Sequence, residues 1–108
     1  VLGIIENMAY FTPKELPDNK YYIFGRQGAE NLAADYDVPF LGALPLVQSV
    51  REAADLGRPA ALQQETPVQQ SITEVTQNMV TQLLKRNTTL PPTKAVTITN
   101  MVGCAAVK

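Results

Sequence analysis

Runs of apolar residues, breaks and changes of period divide the chain into recognisable elements. Val1 to Met8 is a short, nearly continuous apolar run with β-branched residues, the pattern of a strand buried on both faces of a parallel sheet. Thr12 to Lys20 carries Pro13, Pro17, Asp18 and Asn19 and reads as a loop. Tyr21 to Phe24 reads as a short strand or an extended segment laid against the core. After Gly25 and Gly28, Ala29 to Tyr36 predicts a helix with Ala29, Leu32 and Ala33 on one face. Val38 to Leu44 is a second buried strand, with Pro39 tolerated at its start, where no ladder hydrogen bond is lost. The roughly 30 residues between the two strands carry a helix, which suits a right-handed crossover between parallel neighbours.

Gln48 to Leu56 predicts the next helix, closed by Gly57 at C′ with Pro59 beyond. The best-defined element follows. Thr66 is its N-cap, Pro67 stands at N1, and Gln69 at N3 completes a capping box. Val68, Ile72, Val75, Met79 and Leu83 form one apolar stripe, and Lys85 and Arg86 complement the helix dipole at its end. After Pro91 and Pro92, Ala95 to Thr99 alternates like a half-buried edge strand, and Gly103 to Lys108 reads as a frayed end. Two parallel strands and three helices cannot cover both faces of a sheet. Further parallel neighbours are therefore expected upstream of Val1, and an isolated piece would associate through its open sheet edge.

Composition narrows the class. With 108 residues, 45% hydrophobic and 18% charged, the chain is one globular domain at most. A formal net charge of −1 argues against a nucleic-acid binder, and no apolar run is long enough to span a bilayer. The expected location is cytoplasmic. A single cysteine, Cys104, excludes an intrachain disulfide, and the absence of histidine argues against a self-contained zinc site and excludes histidine acid–base chemistry. The chain opens inside a β-branched run without an initiator methionine, so it reads as the carboxyl-terminal piece of a longer protein.

The candidate chemistry sits where the two strands end, since open α/β sheets place ligands at the carboxyl ends of their strands. Asn7 ends the first. Its amide offers the donor and acceptor that an adenine edge requires, but it equally suits a turn residue bonding its own backbone, which spacing alone favours. Pro45, Leu46 and Val47 lead out of the second strand and either flank a base or form an ordinary βα loop. Glu6, Glu30, Glu52 and Asp55 show no paired spacing and read as solvated. Arg51 and Arg58 read the same way, with contact to phosphate or a partner as the alternative. Tyr10, Phe11, Tyr21 and Tyr22 flank the 12–20 loop and suit a protein contact; Cys104 reads as incidental. No G-x-x-x-x-G-K-[ST] loop occurs, nor a Ser or Cys nucleophile with a histidine partner, so no catalytic residue is assigned and the chain alone is not expected to hydrolyse a nucleotide by the P-loop route.

Gly3-Ile4-Ile5-Glu6-Asn7-Met8-Ala9-Tyr10-Phe11, then Tyr22-Ile23-Phe24-Gly25, then Val38 to Leu46, then Ser49-Val50-Arg51-Glu52 with Gly57-Arg58-Pro59, resemble the carboxyl-terminal part of the Mrp/ApbC family. These P-loop ATPases are related to the cell-division ATPase MinD and implicated in carrying iron–sulfur clusters. The resemblance implies an α/β fold, the last part of a doubly wound, mostly parallel sheet. Residues 1–87 would belong to the ATPase domain and residues 88–108 to a tail. It also implies that Asn7 contacts the adenine of ATP, that Pro45, Leu46 and Val47 close over the base, and that the parent binds Mg-ATP. It further implies a homodimer and apo iron–sulfur proteins as recipients; nucleic acid is not expected as a partner on the net charge, nor a membrane, since Arg86 leads into a proline-broken tail with no MinD-like targeting helix.

Many family members carry a C-x-x-C pair between the Glu-Asn-Met and Tyr-Ile-Phe-Gly segments. Here Thr12 to Lys20 has no cysteine, and hydroxyls and carboxylates are poor substitutes for thiolates at iron. This departure argues against cluster binding by the chain itself, and no metal ligands are assigned. A cluster carrier that binds ATP is the leading reading. The alternatives are a nucleotide-independent interaction module and an ATP-dependent regulator of the same fold that has lost the cluster.

Overall fold

Ile4–Glu6 (β1) and Phe40–Ala43 (β2) lie side by side as parallel strands, with Ile4 beside Phe40, Ile5 beside Gly42 and Glu6 beside Ala43. A computed structural model of the chain describes residues 1–59, 62 and 66–97. The crossover joining the strands contains Gly28–Asp35 (α1), which packs on both. Gln48–Asp55 (α2) follows β2, and Pro67–Thr89 (α3) returns to pack on β2. This is the expected parallel α/β arrangement.

The register is interrupted at Leu41, which stands as an extra residue opposite the Ile4–Ile5 step, a bulge in β2. Two neighbours use the space it creates. Asn78 Nδ2 of α3 donates to the Leu41 carbonyl at 2.8 Å, a group that the broken ladder would leave without a partner. Gly42, at φ 141°, has no Cβ where Val75 Cγ2 would stand 2.8 Å away, so α3 lies close on the strand.

Both strands are shorter than the hydrophobic runs that contain them. The Val1–Met8 run contributes only Ile4–Glu6, because the backbone turns at Met8 (φ 55°), whose N–H donates to Asn7 Oδ1 at 3.0 Å. Val38–Leu44 contributes Phe40–Ala43, with Pro39 just outside and its carbonyl accepting from Ile4 N at 2.9 Å. Burial of β1 on both faces is not found. Ile5 is 41% exposed, so the described residues leave one face of β1 uncovered. Of Tyr21–Phe24, only Tyr21 pairs, antiparallel to Phe11 through two 2.8 Å bonds.

The helices follow their sequence signals closely. Gly57 (φ 67°) stops α2, and Thr66 Oγ1 accepts the Gln69 N–H at 3.1 Å to cap α3. Helix α3 runs past Arg86 to Thr89, its last turn held by the Thr88 and Thr89 hydroxyls donating to the Lys85 carbonyl. Only the first half of its stripe is covered. Val68 and Val75 are buried, whereas Met79 and Leu83 remain exposed. The buried set comprises Ala9, Ala33, Leu41, Ala53, Val68 and Val75, a thin core for this many elements.

The edge strand expected over Ala95–Thr99 does not form at 95–97. Ile98, Thr99 and the Gly103–Lys108 segment with Cys104 lie outside the described residues. No helix among the described residues is long and apolar enough to cross a membrane.

Candidate functional site

The carboxyl edge of the sheet is built by the two segments that leave it together. Beyond Glu6 the first segment keeps pairing with the second: Ala9 N donates to the Leu44 carbonyl at 2.9 Å, and Leu46 N donates to the Tyr10 carbonyl at 2.8 Å. Parallel strands deliver both exits to one edge, so Asn7 and Pro45–Val47 share it.

At Asn7 the bond to its own neighbour seen in the sequence is present. Its Oδ1 accepts from Met8 N, while the exposed side-chain amide nitrogen has no protein partner among the described residues. One hydrogen bond fixes the side chain, and two N–H donors face outward. Pro45, Leu46 and Val47 are half-buried. Val47 is extended and opens α2 without any side-chain cap, leaving the first N–H groups of that helix available.

Across from Val47 stands the 12–20 loop. Its ends are closed by the Phe11–Tyr21 pair, and its course is set by turns in which Leu16 N meets the Pro13 carbonyl and Asn19 N meets the Leu16 carbonyl. The flanking aromatics carry cations. Lys20 Nζ lies 4.3 Å from the centre of the Tyr10 ring, and Arg26 Cζ lies 4.2 Å from that of Tyr22. Between the loop and the starts of α2 and α3 runs a groove of about 520 Å³, walled by Pro13, Pro17, Pro45, Val47 and Pro67. A smaller one of about 340 Å³ continues past Pro13 and Lys14 to Leu46 and Glu52. Pro45, Leu46 and Val47 thus come together with the loop. Asn7 lines neither groove.

The acids divide. Glu30 accepts from Gln27, Glu52 from Gln48, and Asp55 pairs with Arg51 at 3.3 Å, all exposed and local, as expected of solvated helix faces. Arg51 is thereby engaged with Asp55. Glu6 is different. Its Oε1 accepts the Gly28 N–H at 3.1 Å, standing in for the side-chain cap that Gln27 does not supply. Sequence reasoning misses this bond, since no local signal links residues so far apart. The 12–20 loop reads in sequence as a surface suited to a protein contact, but the groove that Thr12, Pro13, Pro17 and Lys20 form with the starts of α2 and α3 is not foreseen. Among the described residues, no three His, Cys, Asp or Glu side chains cluster to hold a metal.

Comparison with known proteins gives a consistent result. A family model described as the NUBPL iron-transfer P-loop NTPase, of ParA type, matches residues 1–83. A Synechocystis iron-sulfur cluster carrier protein is 47% identical over 64 residues, covering 59% of this chain and 18% of that protein. One from Pyrococcus horikoshii is 38% identical over 82 residues, covering 76% and 28%. The iron-sulfur cluster transfer protein NUBPL of Mus musculus is 42% identical over 64 residues, covering 59% and 20%. Against these three, the chain spans between 18% and 28% of the relative's length.

Proposed function

Because this chain belongs to the NUBPL iron-transfer family of P-loop NTPases, we propose that it forms the adenine side of the ATP pocket in an iron–sulfur cluster carrier. The observation that carries the reading is the joined exit of the two strands. Leu46 N bonded to the Tyr10 carbonyl holds the Pro45–Val47 loop beside the segment that begins at Asn7. Asn7 then offers its unpartnered amide N–H groups to ring nitrogens of the base, and Pro45, Leu46 and Val47 cover its apolar face. Residues 1–87 act as the carboxyl-terminal portion of the ATPase domain and residues 88–108 as its tail. The functional form is a homodimer, and the cluster is cargo delivered to apo-protein recipients.

The test is nucleotide titration of the gene product carrying this segment at its native length. Asn7→Ala weakens ATP binding about tenfold, the loss of one hydrogen bond to the base, and leaves the protein folded, with only the small fall in melting temperature due to losing the exposed Met8 N–H to Asn7 Oδ1 bond. Unaltered affinity removes Asn7 from the pocket. A second reading, an ATP-dependent regulator without a cluster, is favoured by one observation: Thr12–Lys20 contains no thiolate. Anaerobic purification followed by iron and sulfide analysis separates the two.

A further inference from the structure

The larger groove has properties that a base-binding wall does not require. Among the described residues its charged side chains are Lys14 and Lys20, and none of its described lining residues is a carboxylate. This is a locally cationic trough on a chain whose formal net charge is −1. Lys14 has no hydrogen-bond or ion-pair partner among the described residues, and Lys20 is held over Tyr10. The walls are proline and valine with the hydroxyls of Thr12, Ser49 and Thr66 between them. Such walls lose little freedom when something binds.

We propose that this groove docks an acidic, extended peptide segment of a partner protein. Charge complementarity selects the acidic side chains, which Lys14 and Lys20 meet at the open face. Apolar side-chain surface of the segment lies on Pro17 and Pro67. The smaller groove continues the trough past Lys14 but is lined by Glu15 and Glu52. The acidic side chains of the segment are therefore taken at the larger end. A small multivalent anion would gain nothing from the apolar walls and would be repelled at the acidic end. The groove shares Pro45 and Val47 with the proposed nucleotide wall, but the inference does not rest on that reading.

Fluorescence anisotropy on the native-length gene product tests it, with a fluorescein-labelled octapeptide alternating Glu and Ala and its Lys/Ala counterpart. The Glu peptide binds and the Lys peptide does not. Lys14→Glu/Lys20→Glu weakens binding about tenfold. Lys14→Glu alone, at a residue that holds no structural bond, weakens it about threefold, which keeps the result independent of any disturbance at Tyr10. The proposal is overturned by no binding of the Glu peptide, equal binding of both peptides, indifference to the double variant, or displacement by millimolar inorganic phosphate. Displacement by ATP, with weaker ATP binding in the double variant, also overturns it and assigns the groove to the nucleotide. Failure of Asn7→Ala to affect ATP binding bears only on the nucleotide reading.

Discussion

Glu6 and Gly28 are joined by a 3.1 Å hydrogen bond from the Gly28 N–H to Glu6 Oε1, tying the last residue of β1 to the first turn of α1. Gln27, at φ 56°, brings the chain into the helix without capping it. The strand thus supplies the acceptor that the helix start lacks, and its negative charge complements the helix dipole.

Glu6→Ala should therefore cost about 1 kcal/mol of stability, as the loss of a helix cap does. Glu6→Gln keeps an acceptor but not the charge and should fall between. Urea denaturation of the three proteins measures the order; an alanine variant as stable as the parent contradicts it.

Gly42 and Val75 should be coupled. Gly42→Ala forces a side chain into φ 141° and against Val75 Cγ2, for a combined cost of about 2–4 kcal/mol. Val75→Ala removes the obstructing methyl, so the double variant should be less destabilised than the sum of the two by at least about 0.5 kcal/mol. A double-mutant cycle reads this directly, and strict additivity would show that strain in the backbone is the whole effect.

Asn78 serves a single carbonyl. Asn78→Ala leaves the Leu41 oxygen without its 2.8 Å donor and should destabilise by about 1–2 kcal/mol. Asn78→Asp should cost more, because a carboxylate places a second acceptor there. Thermal melts of both variants rank them, and an aspartate variant more stable than the alanine one rejects the role.

These relationships also mark what could be read along the chain. Thr66, Pro67 and Gln69 announce the start of α3 and Gly57 the end of α2, because a cap and a stop are made by neighbours in sequence. The parallel pairing of β1 with β2 followed from two apolar runs separated by a helix-bearing connection. Their lengths did not, because the turn at Met8 and the bulge at Leu41 depend on backbone geometry that hydropathy does not encode. Glu6 looked like a solvated acid and Asn78 gave no signal, since their partners lie 22 and 37 positions away. At the sheet edge the loop of Pro45–Val47 was legible from the strand-to-helix transition. The groove opposite it was not, because it forms only when the 12–20 loop folds back beside Val47 and the start of α3.

Photolabelling of the native-length gene product with 8-azido-ATP, followed by peptide mapping, tests the adenine-side assignment most directly. The account predicts label, protectable by Mg-ATP, in peptides containing Asn7 or Pro45–Val47. Protectable label confined to peptides outside both segments would contradict it.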